Sequence, residues 1–499
     1  MELKTGLRQI TKSMKNFFLH RVPFWISFFS LGSVLLIATA FFFKVHQAIE
    51  NRPLSQPVRI VYSNHVYGGW IAANENFYNQ TLDGFIGQGT TFINADLSTM
   101  QLQYYKNGTV AMTIPILSKG RPGSWWETPT GLYRVQNKTP ADFSDMARVY
   151  SPWALDFVGN FLIHGWPYYP GGTPVGSAYS GGCIRLPTAD AKTLYGMVDV
   201  GTPVLVYDAD FVTDGFKEQQ KPQVWRGPRI TAKSYLAVDL DSNYVLAQKN
   251  PDEQLPIASI TKLMTALVAI EYVNIEKTIT ITPDMIVKTS IPRLKVGQKY
   301  RLYDLLQPLL KESSNEAAVA ISDFLGPKYF VSLMNQQAAA IGMTNTHFVD
   351  PTGSDWGNVS DAHDLFILTQ YLYDNRRFVL DMTTNENIPN AYGPSAFPSL
   401  ENFNVFANSP DFIGGKVGIN GAASDTIVSA FNEPFAAQIS TTTVASVGQT
   451  DDEIFESSTT TSTAPTGVAD RPIVLIILGS DDYTSDANIF LQWIKNSYN

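Results

Sequence analysis

Cysteine is almost missing: the 499 residues hold one, Cys183. That excludes an intramolecular disulfide, and it leaves the lone thiol as either a small buried hydrophobe or a reactive group. Charge is also scarce. Charged residues make up 16% of the chain, the net charge is −9, and no run of lysine or arginine follows residue 21. Phosphate binding needs a basic footprint, so nucleic acid is excluded as an expected partner. His20, His46, His65, His347 and His363 lack the spacing of a ligand cluster, so no metal is expected. No internal repeat is apparent. In contrast, hydrophobic residues reach 44% and aromatics 12%, neither a disordered nor a coiled-coil composition. The length suffices for two or three separate cores.

The one long apolar run is Val22 to Phe43, 22 residues without a charge. As a helix it reaches about 33 Å, the thickness of a hydrocarbon core. Lys4, Arg8, Lys12, Lys15 and Arg21 precede it with only Glu2 opposing. That bias keeps residues 1–21 in the cytoplasm and sends the remainder outside, anchored in a lipid bilayer through residues 22–43. Ala38-Thr39-Ala40 offers a rival reading, a cleaved signal peptide, but the run continues through Phe43. Both readings deliver the bulk of the chain to the extracytoplasmic side, periplasm or cell wall.

Residues 44–90 form an aromatic and polar stem with no assignable fold. From 91 to 208 the pattern is mostly β. Met100, Leu102 and Tyr104 alternate with polar neighbours, Asn107-Gly108 reads as a hairpin turn, and Val110, Met112 and Ile114 resume the alternation. A short helix is expected over Thr188–Val198 and a closing strand over Gly201–Tyr207. Residues 209–227 contain Lys-Glu-Gln-Gln-Lys-Pro and read as a linker. The remainder, 228–497, opens with a hairpin, Leu236–Leu240 and Tyr244–Gln248. Helical periodicity follows at Leu263–Tyr272, Tyr303–Leu310, Ala317–Phe324 and Tyr329–Ile341, and the segment ends in a strand at Ile473–Leu478 and a helix near Ala487–Lys495. That order predicts an α+β domain. Residues 440–469 are rich in serine and threonine and read as a solvated insertion between two strands. The expected fold class is therefore multidomain: a transmembrane helix, a mostly-β domain and an α+β domain.

His164 lies nineteen residues before Cys183, across a Gly/Pro-rich stretch that can fold the chain back on itself. A nearby imidazole lowers a thiol pKa and takes its proton. Gly181 and Gly182 leave backbone N–H groups clear for a developing oxyanion. Ile163-His164-Gly165 and Ser180-Gly181-Gly182-Cys183-Ile184-Arg185-Leu186 resemble the L,D-transpeptidase (YkuD-type) catalytic domain. Ser118-Lys-Gly, Thr128-Pro-Thr-Gly131 and Gly201-Thr-Pro-Val204 extend the likeness over residues 90–208. The resemblance implies Cys183 as nucleophile, His164 as base and Gly165 orienting the imidazole through its carbonyl. It further implies an oxyanion hole from the Gly182 and Cys183 N–H groups, with Ser180 and Arg185 holding loop and substrate. Family members act on the tetrapeptide stem of peptidoglycan. They acylate themselves at the L-centre of diaminopimelate and release D-Ala. One departure is visible: a histidine common in this motif is Gly181 here.

In the second domain Ser259 and Lys262 stand three apart, on one face of a helix start. There the helix end favours a nascent alkoxide, and a lysine of depressed pKa can relay the proton. With Ser313-Ser314-Asn315 and Lys416-Val417-Gly418 they resemble the Ser-x-x-Lys, Ser-x-Asn and Lys-Thr-Gly motifs of penicillin-binding proteins. The text around them narrows the likeness to serine D-Ala-D-Ala carboxypeptidases over residues 228–495, outside the insertion. Ser259, Lys262 and Ser313 would be catalytic, and Asn315, Lys416 and Gly418 would bind substrate. Val417 replaces the motif threonine. A hydrogen bond lost to the substrate's carboxylate costs about 1.5–3 kcal/mol, roughly ten- to a hundredfold in rate.

The combined resemblance implies one pathway. A carboxypeptidase trims pentapeptide stems to tetrapeptides, and an L,D-transpeptidase cross-links them. Peptidoglycan stem peptides are the expected partners and β-lactams, carbapenems among them, the expected inhibitors. Neither family needs a cofactor. Two alternatives stay open: a hydrolase that passes the Cys183 acyl group to water, and a wall-binding scaffold with an impaired serine site.

Overall fold

A computed structural model describes residues 74–208, 216, 218, 220–221, 227–385, 395–397, 399–436 and 468–498. All of them fall in one of the chain's two units, Ile60–Asn499. The expected cytoplasmic segment, the anchor at 22–43, the stem up to residue 73 and the insertion from 440 to 467 lie outside the described residues. Among the described residues no helix is long and apolar enough to cross a membrane.

The last part of the expected stem is a helix, α1 (Asn74–Gly87). It belongs to the first domain: Tyr78 stacks on Tyr207 with ring centroids 4.1 Å apart and accepts a hydrogen bond from Asn94. Aromatic spacing was there to read, but polar residues between Asn74 and Asp83 masked the helical stripe.

The first domain has two sheets. Strands β1 (Phe92–Asp96), β2 (Gln101–Lys106) and β3 (Thr109–Pro115) form an antiparallel meander. Asn107 and Gly108 take φ of +52° and +75° at the β2–β3 turn, as a two-residue hairpin loop requires. The other strands are β4 (Gly131–Arg134), β5 (Asn137–Ser144), β6 (Val149–Val158), β7 (Phe161–Gly165) and β8 (Ile184–Leu186). Helix α2 (Thr188–Met197) and β9 (Pro203–Tyr207) complete the domain. The sheet orders are β3-β2-β1-β9-β4 and β5-β6-β7-β8. Ile93, Leu102, Phe157, Ile163, Ile184 and Val204 are fully buried or nearly so in the core they share. Strand β7 lies between two neighbours and all five of its residues are buried, which is why it reads as a continuous run rather than an alternation.

The second domain opens with the hairpin β10 (Ser234–Asp239) and β11 (Val245–Lys249). Helices α3 (Thr261–Tyr272), α4 (Leu302–Leu310), α5 (Asn315–Asp323), α6 (Pro327–Ile341), α7 (Ala362–Asn375) and α8 (Arg377–Asp381) follow. Then come β12 (Phe412–Asn420), β13 (Ser424–Ala436), β14 (Val468–Ser480) and α9 (Tyr483–Ser497). The sheet order is β11-β10-β14-β13-β12, all antiparallel. One face packs on α3 and its neighbours, the other on α9. The serine/threonine-rich insertion joins two adjacent strands, β13 and β14, with Ala436 opposite Val468. Val468 and Ala469 are therefore strand, not insertion. The expected linker is not a free spacer where it is described: Glu218 is 2% exposed, and Lys221 donates to the Ser497 carbonyl at 2.8 Å.

The two domains meet at glycines that admit backbone against backbone. Gly131, at φ +137°, has no room for a side chain: a Cβ would lie 2.8 Å from the Ala340 carbonyl of α6. Gly159, at φ +50°, brings the β6–β7 turn onto the end of α3, where a Cβ would stand 2.1 Å from the Glu271 carbonyl. There the Asn160 N–H and side-chain amide both donate to Glu271 O, at 3.0 and 3.2 Å. Trp125 of the first domain stacks on Phe378 of the second, ring centroids 3.7 Å apart.

Candidate active sites

Strands β7 and β8 run parallel, with His164 opposite Arg185. Cys183 immediately precedes β8, two residues before Arg185. The Gly/Pro-rich stretch serves as the crossover that makes this parallel pairing possible. The His164 Nδ1 lies 2.5 Å from the Gly165 carbonyl. A carbonyl only accepts, so Nδ1 carries the proton and Nε2 is the basic nitrogen. His164 is 3% exposed, and burial, with the Arg185 cation adding to it, pushes the imidazole down to about 4. Cys183 is half-buried, its thiol 4.0 Å from the Asn160 carbonyl. Burial pushes that thiol up to about 11. The expectation of a thiol depressed by its imidazole is thus corrected. Both groups are desolvated, and the cation facing them disfavours an imidazolium. The resting pair is neutral thiol and neutral imidazole, with no hydrogen bond between them.

The loop before the sulfur is tightly specified. Gly182, at φ +96°, has the Phe161 ring 2.2 Å and the Trp126 carbonyl 2.8 Å from where a Cβ would be. The Ser180 hydroxyl accepts the Gly182 N–H at 3.1 Å. That donor is engaged by Ser180 in the resting structure. Arg185 holds the loop rather than open space: its Nη1 donates to the Ser177 carbonyl at 2.9 Å, and its guanidinium lies 5.3 Å from the Trp166 ring centroid. Thr128 belongs to one of the segments that carry the resemblance. Its hydroxyl donates to the Gly182 carbonyl at 2.9 Å and accepts the Gly120 N–H at 2.8 Å, tying three segments together. A Cβ on Gly181 meets nothing within 4 Å, so the absent motif histidine leaves no hole.

In the second domain Ser259 sits in a 3-10 turn, Ala258–Ile260, that leads directly into α3. Lys262 is fully buried on the first turn of that helix. Its Nζ lies 3.0 Å from Ser259 Oγ, 2.9 Å from Asn315 Oδ1 and 2.5 Å from the Thr352 carbonyl. Burial, and then the charge of Lys416, hold the amine well below its ordinary range. The Asn315 and Thr352 oxygens can only accept, so each takes an N–H of the amine. Its Nζ also donates to the Ser259 hydroxyl, 3.0 Å away. The Thr352 carbonyl is aimed by Asp350, whose carboxylate collects the N–H groups of Thr352, Gly353 and Asp355.

Strand β12 is the sheet edge and runs along the Ser259 turn. A Cβ on Gly418 would be 2.9 Å from the Ser259 N, which explains a glycine there. Lys416 is 1% exposed, and burial pushes its amine down to about 7. Its Nζ donates to the Val417 carbonyl at 2.9 Å. Val417 is 5% exposed and packs with Ile427 in the layer facing α9. Ser313 takes φ +57°, and its buried hydroxyl makes no hydrogen bond among the described residues. The structure therefore joins Ser259, Lys262 and Asn315 by hydrogen bonds, but links neither Ser313 nor Lys416 to Ser259 that way. Ala258, at φ +47°, adds local strain beside Ser259.

Two family models match the chain: D-alanyl-D-alanine carboxypeptidase over residues 218–444 and the L,D-transpeptidase catalytic domain over residues 90–206. A D-alanyl-D-alanine carboxypeptidase of Mycobacterium tuberculosis, DacB2, is 33% identical over 216 residues, 41% of this chain and 71% of that one. A D-alanyl-D-alanine endopeptidase of Escherichia coli is 33% identical over 213 residues, 40% of this chain and 67% of that one. An endopeptidase of the same name from Pseudomonas aeruginosa is 36% identical over 156 residues, and the chain spans 49% of its length. A crystal structure of a D-alanyl-D-alanine carboxypeptidase from M. tuberculosis is 26% identical with a TM-score of 0.42, covering 55% of this chain and 95% of that one.

Proposed function

The chain belongs to the D-alanyl-D-alanine carboxypeptidase family, with an L,D-transpeptidase catalytic domain ahead of its serine domain, and on that premise we propose that it trims and then cross-links peptidoglycan stem peptides. The observation that carries the reading is the buried Lys262 amine, 3.0 Å from Ser259 Oγ and held well below its ordinary range by burial first and the Lys416 charge second. In the serine site Lys262 takes the hydroxyl proton as Oγ attacks the penultimate D-Ala carbonyl. D-Ala leaves with a proton, and water releases a tetrapeptide. In the cysteine site His164 Nε2 takes the thiol proton as Sγ attacks the carbonyl of the diaminopimelate L-centre. The terminal D-Ala leaves, and the acyl group passes to an amine of a second stem. Residues 22–43 anchor the chain with both sites outside the cytoplasm. Penicillins would acylate Ser259 and carbapenems Cys183. In a polymeric wall the trimmed stem stays near the second site, which raises its effective concentration there.

The test is mass spectrometry of the full chain with a purified pentapeptide and a purified tetrapeptide. The expected result is an acyl adduct on Ser259 from the first, one on Cys183 from the second, and a cross-linked dimer when an amine acceptor is added. Tripeptide as the sole product, with acceptor present, would favour the hydrolase alternative. No adduct on either residue would favour the scaffold.

A neutral resting pair sets the pH behaviour of the cysteine site. Alkylation of Cys183 by iodoacetamide is expected to rise with pH up to about 11, without a plateau near neutrality. Turnover of tetrapeptide should be lost as pH falls through about 4, where His164 takes a proton. The same group lowers stability in that direction. Between its ordinary value of 6.5 and about 4 the unfolded chain binds a proton that the folded chain does not, so stability falls as pH falls.

The loop predicts a sharp contrast between adjacent glycines. Gly182→Ala forces a Cβ into the Phe161 ring and should lower tetrapeptide turnover by about a hundredfold or more. Gly181→Ala and Gly181→His enter open space and should leave it within about threefold, measured as D-Ala release.

A further inference from the structure

We infer that Arg376, a residue of the serine domain, is a positioning residue for the cysteine site, because its one guanidinium braces both surfaces that fix the Gly182–Cys183 loop. The inference rests on the reading of Cys183 as nucleophile. Arg376 lies between α7 and α8 and is 1% exposed. Its Nη1 donates to the Glu127 carbonyl at 3.0 Å, across the domain boundary. The next residue is Thr128, whose hydroxyl donates to the Gly182 carbonyl. The same guanidinium lies 5.3 Å from the centroid of the Phe161 ring. That ring occupies the space where a Gly182 Cβ would be, and Phe161 begins the strand that carries His164.

A third support comes through its ion-pair partner. Arg376 Nη2 is 3.1 Å from Glu271 Oε1, both side chains fully buried. The Glu271 carbonyl accepts the Asn160 N–H, and the Asn160 carbonyl faces the sulfur. Glu271 stands in the last turn of α3, the helix whose first turn carries Lys262. From Lys262 to Glu271 is about 14 Å at 1.5 Å per residue. One short helix thus holds the serine base at one end and the buttress of the thiol at the other. A planar fork can meet a carboxylate, a carbonyl and a ring face together, which an ammonium cannot.

The full-length chain carrying both Arg376→Met and Glu271→Met tests this, because removing the two partners together leaves no lone buried charge. Folding is followed by thermal melting, Ser259 by labelling with a fluorescent penicillin, and Cys183 by iodoacetamide labelling against pH. The expected result is a cooperative melt and Ser259 labelling within about twofold of the parent, while kcat for tetrapeptide falls about tenfold with KM little changed. The midpoint of Cys183 labelling should move down from about 11 as the loop loosens and the thiol gains water. An unchanged midpoint with turnover within about twofold would overturn the inference. So would a parallel loss at both sites that follows the loss of folded protein. If the parent itself fails to turn over tetrapeptide, the reading of the nucleophile fails. The labelling midpoint still reports on Arg376.

Discussion

Cys183→Ala is expected to abolish tetrapeptide acyl transfer, a fall of at least about a thousandfold, while D-Ala release from pentapeptide continues at the parent rate. The size of the loss follows from the chemistry. The thiol rests protonated, with burial pushing it up to about 11, so ionisation and attack must occur together under the His164 Nε2. Among the described residues, three polar side chains around the loop are occupied in holding it. The Ser180 hydroxyl accepts from Gly182, the Thr128 hydroxyl is shared between Gly182 and Gly120, and Arg185 is bound to Ser177. Cys183→Ser sharpens the test. A serine keeps the shape, but its hydroxyl is far harder to ionise than a thiol, and the loss should be nearly as large. The measurement is chromatography of muropeptides after incubation with the full-length variants. Persistent links between two diaminopimelates at the parent level would remove the cysteine from the mechanism.

What was legible in the sequence follows from how local each feature is. The β2–β3 hairpin was readable because Asn107-Gly108 is a turn with its own conformational demand. Helix α3 was readable from the apolar pattern of Leu263 to Tyr272, although the structure starts it at Thr261, where a 3-10 turn feeds into it. Strand β7 offered no alternation to read, because all five of its residues are buried. The motifs that hold Cys183 with His164 and Ser259 with Lys262 were legible, but the protonation of these groups was not. Depth of burial decides that, and burial depends on chain segments far away in sequence. For Lys262 these are Thr352 and Asn315, and for Cys183 the turn at Asn160. The fit of one domain against the other was invisible for the same reason. Gly131 and Gly159 look like ordinary loop glycines until Ala340 and Glu271 are placed against them.

Lys262→Met should cut acylation of Ser259 by about a hundred- to ten-thousandfold, the range expected when a general base is removed. Penicillin labelling rates and D-Ala release from pentapeptide would both report it, and the cysteine site should be unaffected. The variant also strips donors from the Asn315 and Thr352 oxygens, so a lower but still cooperative melt is expected alongside. The pH dependence separates base from scaffold. A lysine acts as base only when neutral, so the parent's acylation rate must fall as pH drops and Lys262 takes a proton. Burial is the first reason that proton is held off, and the charge of Lys416 is the second. Lys416 itself is charged below about 7. Lys416→Met removes that repelling charge, lets Lys262 keep its proton to higher pH, and should move the acid limb upward. Stability reports separately on the Lys416 amine. Between about 7 and its ordinary value of 10.5 the unfolded chain binds a proton at Lys416 that the folded chain has shed, so stability rises with pH across that window. Lys416→Met should flatten that rise, and an acid limb that stays where the parent has it would mean that Lys262 does not sense Lys416 and is not the base.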